Sequence, residues 1–198
     1  LSEKLRRHKG KIFAFSAPSG AGKTTILKQV LKDYPEIVFS VSATTRKKRS
    51  DEVDGREYFF ISEEEFKKKI DNDEFIEWEN FFGYYYGTLK SSVNKNIEEG
   101  KSVFLELDVK GALNIKKLYP DSVLIFIEPP SFEELIKRLK KRNTETEEDF
   151  NKRIERAEME LSLKDKFDYF VVNNFLDKAV SEVREIIEKN KKENVNAT

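Results

Sequence analysis

Phe13-Ala14-Phe15-Ser16-Ala17-Pro18-Ser19-Gly20-Ala21-Gly22-Lys23-Thr24-Thr25 reads as a buried strand that runs through a glycine-rich turn into a helix. An apolar run, Ile12 to Phe15, leads into the turn; Ile26, Leu27, Val30 and Leu31 follow at helical spacing, and Asp33-Tyr34-Pro35 marks the helix end. In that context the turn is a phosphate cradle. Backbone N–H groups at Gly20, Ala21 and Gly22 converge on an anion, Lys23 reaches β- and γ-phosphates, and the Thr24 hydroxyl sits on Mg²⁺. The helix adds the positive end of its dipole. The pattern G-x-x-x-x-G-K-[ST] is met except at Ala17, which stands in the place of the first glycine. A plain turn without a ligand requires neither the lysine nor the hydroxyl at these offsets.

Downstream, Ile37 to Val41 reads as a second strand, followed by Ser42-Ala43-Thr44-Thr45-Arg46-Lys47-Lys48-Arg49-Ser50. Its consecutive cations suit a phosphate monoester, with Arg46 and Arg49 the stronger candidates because a guanidinium grips two oxygens at once. A solvated charged loop is the alternative. Asp54-Gly55 marks a turn before the apolar Tyr58-Phe59-Phe60-Ile61, and Ser62-Glu63-Glu64-Glu65 opens a short helix with Phe66 and Ile70 on its apolar face. Glu74-Phe75-Ile76-Glu77-Trp78-Glu79 alternates as a strand, which places Glu77 on the side of Phe75 and Glu79. Gly83-Tyr84-Tyr85-Tyr86-Gly87-Thr88 reads as a glycine-bracketed aromatic loop, its tyrosines either packed on neighbours or donating to a phosphate.

A helix is expected from Leu89 to Glu99. Ser102 to Asp108 is a buried strand tipped by a carboxylate, at the end where open α/β sheets bind ligands and where an acid can organise Mg²⁺ and its waters. Asp108 also suits the N-cap of the next helix, Val109 to Leu118, and the two roles are compatible. Val123 to Ile127 is continuously apolar, as in a strand covered on both faces. Pro129-Pro130 stops it, and Ser131 caps a helix carrying Leu135, Ile136 and Leu139. Lys137 to Arg156 is dense in charge, with Arg138, Arg142, Arg153 and Arg156 around Asn143-Thr144-Glu145-Thr146: either a helix–loop–helix flap that closes over a nucleotide or a salt-bridged exposed hairpin. Phe167 to Val172 is a last strand and Leu176 to Ile187 an amphipathic helix, with a frayed polar tail from Asn190.

At 198 residues the chain suits one α/β unit with a parallel sheet and small inserted lobes. Lys plus Arg and Asp plus Glu both number 37, so no net field points to nucleic acid or to a membrane surface. No apolar run approaches the roughly 20 residues that span a bilayer, and a soluble, cytoplasmic protein is expected. Cysteine is absent, which excludes disulfides and thiolate metal sites, and the single His8 lies in a polar leader.

Taken in order, several segments together resemble the guanylate kinases over nearly the whole chain: Ser16 to Thr24, Val41 to Arg46, Gly55-Arg56-Glu57-Tyr58-Phe59-Phe60, Phe75-Ile76-Glu77-Trp78, Tyr85-Tyr86-Gly87-Thr88, Leu107-Asp108-Val109-Lys110-Gly111 and Arg142-Asn143-Thr144-Glu145-Thr146. The resemblance implies a P-loop core of three α/β/α layers with two inserts. Residues 1–41, 90–130 and 166–198 would form the core, 42–89 a GMP-binding lobe and 131–165 a lid. It further implies that Arg46, Arg49, Tyr58 and Tyr86 hold the GMP phosphate while Ser42, Glu77, Thr88 and Asp108 face the guanine. Ala17, Pro18, Ser19, Gly20, Ala21, Gly22, Lys23, Thr24 and Thr25 would cradle ATP, with Arg142 and Arg153 on its phosphates and Asn173 near its adenine. Mg²⁺ would sit on Thr24, its waters held by Asp108.

Departures from the family pattern are Ala17 for glycine, Asn143 for the usual lid glycine and Thr88 for serine. Guanine offers an N1–H and an exocyclic amine side by side to one carboxylate such as Glu77, whereas adenine would leave that acid unpaired. Two other readings stand beside this one: a peptide-binding scaffold on the same fold, and a P-loop kinase for another small phosphate ester. Whether the protein is a monomer or a homo-oligomer is not written in these residues.

Overall fold

The structure is a computed structural model that describes residues 10–81, 83–140 and 147–196. In chain order its elements are β1 Ile12–Ser16, α1 Lys23–Asp33, β2 Val38–Phe39, β3 Ala43–Thr44, β4 Phe59–Phe60, α2 Glu63–Asp71, β5 Phe75–Phe81, β6 Tyr84–Leu89, α3 Lys90–Glu98, β7 Val103–Glu106, α4 Val109–Leu118, β8 Val123–Glu128, α5 Phe132–Lys140, α6 Glu147–Ser162, a 3₁₀ turn Lys164–Lys166, β9 Tyr169–Val172 and α7 Leu176–Asn196.

Five strands form a parallel sheet in the order β2-β7-β1-β8-β9. Because helices cover both faces, its central strands are apolar at nearly every position. Phe13 and Phe15 of β1 pack with Phe104, Val171, Val180 and Val183 under α1 and α7, while Ile12 and Ala14 face Leu124, Phe126, Val93 and Ile115 under α3 and α4. Phe13 and Phe15 both meet the Phe104 ring edge-on, at 5.7 and 5.3 Å between centroids. Successive β1 side chains thus feed opposite cores, as the period of two requires.

A second sheet, β4-β3-β6-β5, stands apart with its own small core of Ala43, Phe66 and Phe75. The expected strand Ile37 to Val41 is interrupted here: after Phe39 the chain leaves the parallel sheet, and Ala43–Thr44 pairs with β4 and β6 instead. The expected aromatic loop is a strand. Tyr84–Leu89 pairs antiparallel with β5, and alternation sends Tyr85 to the small core beside Phe66 and Tyr86 to the other face. The tail also differs from expectation, since α7 runs on to Asn196. Asn190 is buried and donates to Tyr169 Oη at 3.2 Å, and Lys191 pairs with Glu36, which hold the helix past the expected fraying point.

One irregularity decides where Glu77 points. The β5–β6 register slips between Phe75 and Glu77, so Phe75 lies opposite Leu89 and Glu77 opposite Thr88. The extra residue is Ile76, which enters the main core beside Val109 and Ala112 of α4. Phe75 and Glu77 therefore face opposite ways, against the plain alternation, and Glu77 shares its side with Glu79 but not with Phe75.

Candidate active site

The phosphate loop leaves the C-terminal end of β1, between β7 and β8, which are reached by crossovers in opposite directions. That is the switch point where open α/β sheets take ligands. Gly20 and Gly22 have φ of +90° and +92°, the left-handed region in which a side chain is strained. At Gly22 space is also closed: a β-carbon would lie 2.3 Å from Asn173 Nδ2, which donates to the Ala21 carbonyl at 2.7 Å. Asn173, next to the end of β9, thus braces the loop from behind. Ala21 N–H donates to the Pro18 carbonyl at 3.0 Å, closing the turn.

At the head of α1, Lys23 Nζ donates to the Leu107 carbonyl at 2.8 Å and lies 3.8 Å from Glu106 Oε1. Thr24 Oγ1 donates to the same Glu106 oxygen at 2.7 Å. A hydroxyl and a carboxylate side by side at a helix N-terminus form an oxygen set that suits a hard divalent cation. The acid that touches Thr24 is therefore Glu106, the last residue of β7, while Asp108 lies one step further, capping α4 by accepting Gly111 N–H at 2.7 Å. From α6, Arg153 Nη1 reaches Ser19 Oγ at 3.1 Å. Leu135 and Leu139 of α5 pack on Gly20.

Opposite this cradle, Arg46 Nη2 donates to Glu52 Oε1 at 2.6 Å, and its guanidinium lies 5.6 Å from the Tyr58 and Phe60 ring centres. Glu52 Oε2 accepts Arg49 N–H at 2.8 Å, so one acid ties both ends of the basic segment. The bond to Arg46 holds Glu52 below the usual carboxylate range. The Tyr58 and Tyr86 rings meet at 5.9 Å, and burial pushes the Tyr58 hydroxyl up to about 12, which keeps it a proton donor.

Between the two lies a carboxylate group. Glu77 Oε1 accepts the Thr88 hydroxyl at 2.7 Å. Burial raises the Glu77 carboxyl from 4.5 to about 7; the Thr88 bond opposes the rise, and the charges of Asp108 and Glu79 add to it. At Gly111 a β-carbon would stand 2.9 Å from Glu77 Oε2 and 3.0 Å from Asp108 Oδ1, so only glycine leaves both acids in place.

One cleft of about 530 Å³ is lined by Ala17, Pro18, Ser19, Gly20, Gly22, Lys23, Thr24 and Thr25 on one side and by Ser42, Arg49, Tyr58, Glu77, Tyr86 and Asp108 on the other, with Arg153 above. Ala21, Asn173, Arg46 and Thr88 stand behind these, bonded to members of the lining or beside them. Arg142 lies outside the described residues. The cleft also holds Arg156, which the sequence offered only as one of four arginines of a flap, and Glu79, Glu106 and Glu160, none of which the sequence singled out for a role. Glu106 was legible as the other acid at the tip of β7; Glu79 and Glu160 carry no pattern that separates them from a solvated face.

The guanylate kinase family model matches residues 9–190. A guanylate kinase of Thermotoga maritima is 51% identical over 179 residues, covering 90% of this chain and 86% of the relative. One of Caldanaerobacter subterraneus subsp. tengcongensis is 49% identical over 181 residues, covering 91% and 88%. Among solved structures, the guanylate kinase of Anaplasma phagocytophilum superposes with a TM-score of 0.75 at 31% identity, over 92% of this chain and 86% of that one.

Proposed function

The chain belongs to the guanylate kinase family, and from that premise we propose how its cleft divides the work of moving the γ-phosphoryl group of ATP to GMP. The reaction gives ADP and GDP. The observation that carries the division is that a phosphate cradle, a basic segment with two tyrosines and a recessed carboxylate pair line one cleft.

Residues 17–25 take the ATP phosphates on backbone N–H groups, with Asn173 bracing the loop near the adenine. Thr24 and Glu106 are the residues that would hold Mg²⁺, with Asp108 further out among its waters; among the described residues no group of three or more acids or histidines could hold a metal by itself. When bound, the ion neutralises charge on the β- and γ-oxygens. Arg46, Arg49, Tyr58 and Tyr86 grip the phosphate of GMP. Ser42, Glu77, Thr88 and Asp108 read its guanine, with Glu77 Oε2 left to accept from the N1–H and amine while Thr88 holds Oε1.

The attacking GMP oxygen is already ionised, so no general base is needed. Lys23 and Arg153, together with Arg142, which lies outside the described residues, neutralise charge on the transferring group, and alignment supplies much of the rest. The second sheet serves as the GMP lobe and α5–α6 as the lid, whose closure shields the transfer from water. ATP and GMP meet in the cytoplasm, which is where we place the protein.

A coupled ADP assay with ATP and, in turn, GMP, AMP, UMP and dTMP tests the reading. Turnover with GMP far above the others is expected. Equal turnover with AMP would reject the base-reading role, and peptide binding without ADP formation would reject the activity.

A further inference from the structure

Arg156 belongs to α6, yet its guanidinium is bonded to two other parts of the chain. Nη2 donates to Glu79 Oε1 and Oε2 on β5 at 2.9 and 3.0 Å, and to Asp108 Oδ2 at the N-cap of α4 at 3.2 Å. Nε donates to Glu160 Oε1, one turn further along α6, at 2.9 Å. The other Asp108 oxygen accepts Gly111 N–H, so the helix cap and Arg156 together occupy both of its oxygens. Glu77 is the next acid in the same group, crowding with Asp108 over Gly111.

A single guanidinium therefore stands among three bonded carboxylates, with Glu77 as a fourth beside them. Burial disfavours the charged form of Glu79 and of Glu160, and the bonds to Arg156 oppose that in both. Among the described residues the charges acting most on Glu77 are Glu79 from its own strand and Asp108 from the α4 cap; behind them stand Arg156 and Glu160 from α6, with Lys23 from α1 acting on Glu160, and Arg49, Glu106 and Arg153 line the same cleft. Arg153 and Arg156 are three residues apart and so share one face of α6. The first meets the phosphate loop and the second the base-reading acids.

We propose that Arg156 is a positioning residue: it fixes Asp108 and balances the acids around Glu77, so that recognition of the acceptor's purine depends on α6 being seated. The proposal rests on the assignment of Glu77 and Asp108 to guanine made above. With α6 seated, the Arg156 guanidinium lies against Glu79 and Asp108, and Glu77 ionises at lower cost. With α6 lifted, three acids repel one another and the base reader stays protonated, an uncharged and weaker acceptor for the two guanine donors. The coupling is reciprocal, since a purine that favours ionised Glu77 also favours seated α6.

The test is steady-state kinetics of the full chain from acid to alkaline pH, with KM for GMP and for ATP measured separately. Arg156→Met is expected to raise KM for GMP about tenfold while leaving KM for ATP within about twofold. It should also move the acid limb of kcat/KM for GMP to higher pH. Arg156→Lys should recover most of both effects. Equal rises for GMP and ATP with an unmoved acid limb would mark a purely structural contact and overturn the proposal, as would no change at all. If circular dichroism shows Arg156→Met to be unfolded, Glu79→Gln decides: removing that charge should move the acid limb to lower pH, and an unmoved limb overturns the proposal. Glu77→Gln separates the two levels. Unaltered GMP preference in it overturns the base-site assignment itself, whereas lost preference there beside unaltered Arg156→Met kinetics overturns only the role of Arg156.

Discussion

At the scale of single residues, Glu77 carries a cost beside the function proposed for it. Its carboxyl is raised from 4.5 to about 7, so the folded chain holds that proton more tightly than the unfolded chain does. This group therefore favours folding least at high pH: its contribution falls as pH rises from about 4.5 to about 7 and is level beyond. Glu77→Gln is expected to melt above wild type near pH 8, by up to about 3 kcal/mol, and level with it near pH 4.5, as thermal unfolding at both values will show. In the base-reading role proposed for Glu77, binding runs the other way, because the ionised acid is the stronger acceptor for guanine. KM for GMP should climb as pH drops below about 7, and in Glu77→Gln the GMP-to-AMP ratio of kcat/KM should fall by about 10² or more, part of the 10⁴ to 10⁵ that hydrogen-bonded sites reach. Among the described residues the Lys23 side chain bonds at the cleft, to Leu107 and near Glu106, so Lys23→Ala should fold normally and lose about 10² to 10³ in kcat. Residues with a fixed offset, such as Lys23 and Thr24, were readable from the sequence because chemistry demands their spacing. Glu52, which holds both Arg46 and Arg49, was not, since a loop acid three residues past an arginine carries no period to betray it.

Among elements, those built on strong periodicity match expectation closely: β1, α1, α3, α4, β8 and α5 begin and end within a few residues of where apolar spacing and caps put them. Failures cluster in the second sheet, where pairing across strands overrides local signals. Tyr84 to Leu89 is a strand only because β5 lies beside it, and the slip at Ile76 depends on α4 offering that side chain a place. The P-loop is the element whose backbone tolerates least. Gly22→Ala would force a β-carbon onto Asn173 Nδ2 at a φ of +92°, a strain of about 1 to 3 kcal/mol. A lower melting temperature together with a raised KM for ATP is expected. A raised KM for GMP with ATP unaffected would contradict the bracing role given to Asn173.

Across the whole molecule, the parallel sheet and its two cores form the frame, and the second sheet and α5–α6 meet it around one cleft. The single tryptophan, Trp78, lies on the second sheet, about half exposed and near Tyr85. If that sheet shifts against the frame when GMP arrives, the fluorescence of Trp78 should change with GMP alone. An unchanged spectrum at saturating GMP would mean the sheet is already placed for the acceptor.

The slipped register of β5 sets the mechanics of such a shift. Ile76 is riveted into the frame beside α4, and its carbonyl takes a bond from Asn114 Nδ2 at 2.9 Å, directly before Glu77. Glu77 therefore stands at the fulcrum, whereas Arg46 and Arg49 ride on the lever arm. A swinging lobe would sweep its phosphate grip through the longest arc and its purine reader through the shortest. In such a swing the incoming base would meet a nearly stationary point while the clamp on its phosphate is still travelling.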